Sequence, residues 1–552
     1  WVSSRAVCIE LRARYEIMQA KSRIVRLRTF ILVLGLVCLI AFDAYIVYCS
    51  RVPKDRPPPA EDSQPPAIRA STNAGAAAGL SRPAPRSKPP EAMAGTNAPA
   101  PKAGRPPPAA KAEKEWPRAD AIPGEFILSF FDNKDRAAFI ELARLKGGEV
   151  LGLMELGHSV RLRGRDRKWL EDLLREAPTP LGSSPNFYAR IPEAFGTIPE
   201  APEGNYKAFG SLSLRWLGVT GDSSAWGRGI IVAVLDTSVD PHPSLAEANM
   251  TRVSALTSAE DVGENRWHGT AVASLLAGST ADMPGVAPAA RILSVRVLSG
   301  DGSGDAFTLA QGIVEAVDRG ARVVNLSLGT HSDSFLLQQA VEYARERGAI
   351  LVAAAGNDAV EGVLYPARYD GVMAVSAVDA SGRHLFFANR GPEVALAAPG
   401  LGITAAGPED SAVSFSGTSA AVPFVSGALA ALLSQSPQMT PSQAQEILRQ
   451  YSNDTGAMGR DSESGSGILN VGWALNRNIS GLNDVVVCTP YLHPRASRDE
   501  DVIITAYIQN RGTEDLRHVQ FRVAMDGLEQ TFDYFDLAVG RTAGHDFRLN
   551  PE

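Results

Sequence analysis

Ser419 stands in FSGTSAAVPFVSGALAALLSQ, Phe415 to Gln435, where small residues lead into a long apolar segment rich in helix formers. The pattern sets a hydroxyl at the head of a buried helix, close to free N–H groups that favour developing negative charge. Pro423 is expected in the first turn, whose N–H groups have no intrahelical partner. A serine hydroxyl is a weak nucleophile at neutral pH and needs a base, a group to orient that base, and donors for an oxyanion. Three residues offer these parts: Asp236 closes IIVAVLD, His268 opens the helical run of RWHGTAVAS, and Asn357 follows ILVAAAG. Imidazole is the side chain that titrates near neutrality. Singly, each has a plain structural account: a strand-end cap, a helix-start residue, a turn, and for Ser419 a Gly-Ser turn. Together, each after the right kind of element, they point to nucleophilic hydrolysis.

The elements that must position them alternate from Gly229 to about Asn476. Apolar strands IIVAVLD, RILSVRV, RVVNLSL, ILVAAAG and GVMAVSAV are interleaved with helical runs such as AVASLLAG, TLAQGIVEAVDRG and FLLQQAVEYARERG. This predicts an α/β, doubly wound, mostly parallel sheet covered on both faces, with chemistry at the carboxyl ends of its strands. The four residues fall at such ends.

Asp236 in VAVLDTSVD, His268 in HGTAVAS and Ser419 in GTSAAVP match one by one the three motifs of the subtilisin-like serine peptidases, or subtilases, which this sequence resembles. The resemblance implies a serine endopeptidase in which His268 is the base, Asp236 its orienter and Asn357, in AAAGND, the side-chain oxyanion donor. It also implies that SGDGSGDAF (Ser299 to Phe307), with Gly302, Ser303 and Gly304, and NLSLG, with Ser327, Leu328 and Gly329, flank an extended peptide substrate. Leu364, before YPARY, stands where the floor of the specificity pocket is expected, and a bulky floor would favour small P1 residues. The sequence departs from the family at Ser238, Ala271, Ala420 and Phe424, none in a catalytic role. No cofactor is expected. Asp301, Ser303 and Asp305 mimic the start of a calcium loop, but its sixth-position Gly and distal Glu are missing, so no metal site is assigned there. Ser244 and the short loop before GVAP also disrupt the family's usual calcium site, which leaves calcium open.

The remaining chain divides by composition. Residues 1–28 form a basic segment expected in the cytoplasm, and 29–49, TFILVLGLVCLIAFDAYIVYC, read as one transmembrane helix, flanked by Lys21, Arg23, Arg26 and Arg28, that leaves the rest extracytoplasmic, periplasmic or at the cell surface. A cleaved signal peptide is the competing reading, against which stand a long n-region and the lack of a small-x-small site. Residues 50–120 are a Pro/Ala-rich disordered tether. Residues 121–195 show β-α-β-β-α-β order and look like the family's pro-domain, which assists folding and inhibits until cleaved; cleavage near residues 195 to 210 would free the catalytic domain, 205–480, from the membrane. Residues 484–552 suggest a β-sandwich, truncated like the Trp-initiated N-terminus. The expected partners are a peptide or protein substrate, the chain's own pro-domain and the membrane. A net charge of −7 and the absence of a basic stripe exclude nucleic acid. The four cysteines, Cys8, Cys38, Cys49 and Cys488, have neither zinc nor disulfide spacing. A catalytically silent subtilase fold used as a surface binding module is the rival reading; an esterase is weaker, because GTSAA lacks the GxSxG elbow.

Overall fold

The computed structural model describes residues 45–47, 120–192, 206–246, 249–256, 263–493, 502–525 and 528–549. The chain divides into two units; all the described residues belong to one, and the other, residues 49–114, lies outside them. The tether, the basic segment and most of the apolar run from Thr29 are therefore outside the described residues. Tyr45–Val47, at the end of that run, is a strand and not helix. It pairs antiparallel with residues 520–522.

The first domain is built from β1 (Ala121–Ser129), α1 (Asn133–Leu145), β2 (Glu149–Met154), β3 (Ser159–Arg163), α2 (Arg167–Glu176) and β4 (Gly182–Arg190). The strands form an antiparallel sheet in the order β2-β3-β1-β4, as the β-α-β-β-α-β pattern predicts. Asp132 and Asp166 start the two helices, each accepting a hydrogen bond from an N–H three residues on at 2.8 Å. In β1, Phe126 and Leu128 face the helices in one small core with Phe139, Leu162 and Trp169. Ile127 alternates to the other face and belongs to a core of the larger domain.

That larger domain carries β5 (Ile231–Asp236), β6 (Met250–Ser254), α3 (His268–Ala277), β7 (Arg291–Arg296), β8 (Ser303–Asp305), α4 (Ala306–Asp318), β9 (Val323–Leu326), α5 (Phe335–Glu346), β10 (Ile350–Ala354), β11 (Met373–Val378) and β12 (Val394–Pro399). Seven strands make a sheet in the order β12-β11-β10-β9-β5-β7-β6, parallel throughout. The edge strands β6 and β12 are two that the hydrophobic runs did not single out. Both faces are covered: Val232 and Val234 of β5 join the core under α3, while Ala233 and Leu235 join the core under α4 and α5. A hairpin of β13 (Ile403–Ala406) and β14 (Ala412–Phe415) leads into α6 (Thr418–Gln435), followed by α7 (Pro441–Gln450). Among the described residues α6 alone is long and apolar enough to cross a membrane, but it is 89% buried and is this domain's central core helix.

The last strands are β15 (Val485–Val487), β16 (Tyr491–Leu492), β17 (Val502–Asn510), β18 (Leu516–Met525), β19 (Leu528–Leu537) and β20 (Thr542–Leu549). β15, β16 and β20 pair with β17, and β18 pairs with β19, all antiparallel; Ile508 of β17 and Phe521 of β18 meet in a shared core. The module is tied to the larger domain through Gln509, which accepts from the Asp454 N–H (3.0 Å) and donates to the Ser452 carbonyl (2.9 Å).

Candidate active site

Asp236 ends β5, His268 begins α3, Asn357 follows β10 and Ser419 lies in the first turn of α6, so the four meet at the carboxyl end of the parallel sheet. His268 Nδ1 is 2.8 Å from Asp236 Oδ1, with the imidazole side chain 4% and the carboxylate side chain 0% exposed. The carboxylate also accepts the Thr237 N–H at 2.7 Å. This leaves His268 Nε2 buried and without a hydrogen-bond partner among the described residues. The Phe415 ring stands edge-on to the imidazole, centroids 5.1 Å apart, and limits its movement. Gly269 lets α3 start against β5: a Cβ there would lie 2.6 Å from the Thr237 carbonyl oxygen.

α6 begins at Thr418, behind Gly417 at φ +120°, a conformation that L side chains rarely adopt. Pro423 is therefore the sixth residue of the helix and not in its first turn. Its missing N–H would have paired with the Ser419 carbonyl; that oxygen accepts instead from Ser327 Oγ at 2.9 Å. Ser327 returns the contact, its carbonyl accepting from Ser419 Oγ at 3.0 Å. The Ser419 hydroxyl is thus turned to Ser327 and not to His268.

The Asn357 amide is held by Thr418, whose N–H and Oγ–H both donate to Oδ1 at 3.0 Å. Its Nδ2 is thereby aimed outward, and it donates to the Pro192 carbonyl at 3.0 Å. Pro192 follows β4, and β4 lies between the two segments expected to flank a peptide. On one side it pairs antiparallel with β8, Ala189 opposite Gly304 and Arg190 opposite Ser303, and the Ile191 N–H donates to the Gly302 carbonyl at 3.1 Å. On the other, Arg190 N–H donates to the Gly329 carbonyl (2.8 Å) and Gly329 N–H donates back (2.9 Å). Leu328 is fully buried in the core below the groove. Leu364, 6% exposed, packs so closely that a Cβ on Gly329 or Gly356 would come within 3 Å of its side chain.

Asp305 does not resemble a metal ligand in its surroundings; it caps α4, accepting from the Thr308 N–H (3.0 Å) and Oγ (2.8 Å). Its other contacts reach into the first domain. Arg161 bridges Asp305 (2.9 Å) and Glu125 (2.8 Å), while Asn186 donates to both carboxylates at 3.0 Å. The sequence reading did not include this cluster, nor Thr418, Phe415 or Pro192. The charged Glu125 inside an otherwise apolar strand is the one local signal for it.

A family model described as "Subtilase family" matches residues 227–467. Subtilisin BL of Lederbergia lenta is 37% identical over 247 residues, 44% of this chain and 90% of the relative, and a thermostable alkaline protease of Halalkalibacterium halodurans is 40% identical over 252 residues, 45% of this chain and 68% of the relative. The chain belongs to the subtilase family. It is accordingly a subtilisin-like serine endopeptidase, a hydrolase of peptide or protein substrates. The crystal structure of fervidolysin from Fervidobacterium pennivorans, described as a keratinolytic enzyme related to subtilisin, superposes with a TM-score of 0.56 over 77% of this subtilase and 78% of that chain, at 23% identity. That likeness concerns the fold alone.

Proposed function

We propose that this subtilase cuts peptide bonds through Ser419, His268 and Asp236, with Asn357 as oxyanion donor, and that it is made as a precursor whose first domain is its own pro-domain. The observation that carries the reading is the carbonyl of Pro192 on Asn357 Nδ2, next to a buried Asp–His pair and the head of α6. In the proposed route Ser419 Oγ turns to His268 Nε2, gives up its proton and attacks the carbonyl carbon. Asp236 keeps the imidazole in the tautomer whose Nε2 is free to accept and stabilises its protonated form. Asn357 Nδ2 and the Ser419 N–H take the charge that develops on the oxygen. His268 then protonates the leaving amine, and water repeats the sequence on the acyl-enzyme. No cofactor enters these steps.

The same geometry supports Pro192–Glu193 as the bond offered for self-processing, just ahead of the 195–210 window expected from the linker composition. Pro192 is small, in keeping with a pocket floored by Leu364. The apolar run from Thr29 is proposed to anchor the precursor with the enzyme outside the cytoplasm, so that processing releases the catalytic domain; active enzyme found solely in washed membranes would contradict this. A fluorophosphonate probe tests the chemistry: a covalent adduct on Ser419, absent from Ser419→Ala and from His268→Ala, is expected. An unlabelled wild-type protein with its pro-region removed would instead favour the silent binding module.

A further inference from the structure

We infer that Pro192 is a brake on self-cleavage: by presenting no N–H to the Ser327 carbonyl, it leaves that oxygen to capture the Ser419 hydroxyl and hold the nucleophile away from His268. The inference rests on the peptidase reading above and concerns how fast this particular chain processes itself.

The register supplies the reasoning. Arg190 and Gly329 exchange both backbone hydrogen bonds, so they form a hydrogen-bonded antiparallel pair. Such pairs recur every second residue, which sets residue 192 opposite Ser327 and aims its N–H at the Ser327 carbonyl. Any residue but proline could make that bond. Here the acceptor is taken by Ser419 Oγ at 3.0 Å, while the base it should face, His268 Nε2, is buried and unpaired among the described residues. The Pro192 carbonyl is nonetheless seated on Asn357. The strand is thus bound as a substrate would be, with its electrophile placed and its nucleophile turned aside.

The step slowed is the attack itself. The Ser419 Oγ to Pro192 carbonyl carbon bond forms as the hydroxyl proton passes to His268 Nε2; collapse breaks the Pro192–Glu193 bond, and the same proton goes to the Glu193 amine. Before attack, the hydroxyl must leave Ser327, and with proline in place no other donor among the described residues meets that buried acceptor. With any other residue the backbone N–H does so and frees the hydroxyl. The exchange of one neutral hydrogen bond corresponds to about a tenfold difference in rate.

The test has two arms. In the full chain, Pro192→Ala should raise the first-order rate at which the Glu193 N-terminus appears, followed by intact mass, by about tenfold over wild type. The enzyme matured from that variant is then given synthetic peptides of the Tyr188–Ala194 sequence carrying alanine, proline or N-methylalanine at position 192. N-methylalanine lacks the N–H but not the shape of an open side chain. The expected result is that proline and N-methylalanine peptides are both slow, through kcat and not KM, while alanine is fast. Equal processing of wild type and Pro192→Ala, or an N-methylalanine peptide cut as fast as the alanine one, would overturn the brake. A Ser419 adduct in Pro192→Ala without faster processing would overturn it too and leave the peptidase reading standing. No adduct and no turnover in any form would remove both.

Discussion

Arg161 is the residue whose loss should most loosen the first domain from the enzyme. Its guanidinium, one-fifth exposed, lies between Glu125 and Asp305, whose side chains are 4% and 8% exposed. Burial alone would raise the Glu125 carboxyl; the Asn186 hydrogen bond, the Arg161 charge and the hydrogen bonds from Arg163 and Arg161 together outweigh it and hold the group below its ordinary value. Arg161→Met keeps the stem but leaves Asp305 with only neutral donors, Asn186 and Thr308, among the described residues, while Glu125 keeps Asn186 and the Arg163 guanidinium at 3.0 Å. Breaking a fully buried pair costs about 3–5 kcal/mol; allowing for the solvent that reaches Arg161 brings this to about 2–3, or roughly 30- to 150-fold in affinity. The assay is recovery of peptidase activity on diluting self-processed enzyme, with the cleaved first domain as inhibitor. Arg161→Met should shift the half-point by that factor. Arg161→Met with Asp305→Asn should recover much of it, since Asp305, which has no other cation among the described residues, is the charge left stranded. An Arg161→Met protein within threefold of wild type, or a double variant no better than the single, would refute the reasoning. Because the folded Glu125 titrates below its unfolded value, its stabilisation is complete above the ordinary Glu range, and wild-type attachment weakens only as pH falls through it.

Three other outcomes are expected. Thr418→Val removes one of two donors that aim the Asn357 amide, so kcat should fall about five- to tenfold with KM within twofold; a change in KM alone would count against Thr418 as a positioning residue. Leu364→Gly should open the pocket beneath Gly329 and Gly356 and raise the kcat/KM ratio of P1 Phe over P1 Ala by about tenfold or more, and a wild type that already cuts best after Phe or Leu would sink the small-pocket assignment. Burial raises the Asp454 carboxyl to about 7, so between the unfolded value and 7 the native state holds a proton that the unfolded chain has lost, and stability falls as pH rises through that interval. Asp454→Asn should therefore stabilise by about 2 kcal/mol at pH 8, after discounting for solvent, and by about nothing at pH 4. Burial lowers the His384 imidazole to about 4 and acts in the opposite sense, costing stability as pH falls, so the two should be separated by thermal melts of the Asp454 variant across the whole range.

The larger domain was legible in sequence because each of its signals is local. A strand buried on both faces shows as an unbroken apolar run, and Asp236, Asn357 and Ser419 each lie within a few residues of such a run or of a helix start. β6 and β12 were missed for the same reason: MTRVS is polar enough to pass for a loop, and VALAAP is short and closed by proline. Pro423 was misplaced by reading the helix start from composition, when Gly417 at positive φ fixes it at Thr418.

What lay beyond reach was the meeting of β4 with β8 and with Gly329, a register between segments far apart in the chain. Yet its cause is visible in β1. EFILSFF alternates Phe126, Leu128 and Phe130 toward the helices with Glu125, Ile127 and Ser129 away from them. A sheet with helices on one face should offer water the other. Ile127, Met154 and Phe187 on that face are instead buried against α4 and α5, and Glu125 finds Arg161 and, through it, Asp305. A second apolar face carrying one ionisable residue calls for a partner with a matching charge, and in a single chain the nearest candidate is the domain that follows. Once that face is docked, β4 emerges at the edge of β8, ending two residues before the one seated on Asn357. The residue it then delivers to Asn357 is set by strand length alone, and here it is a proline.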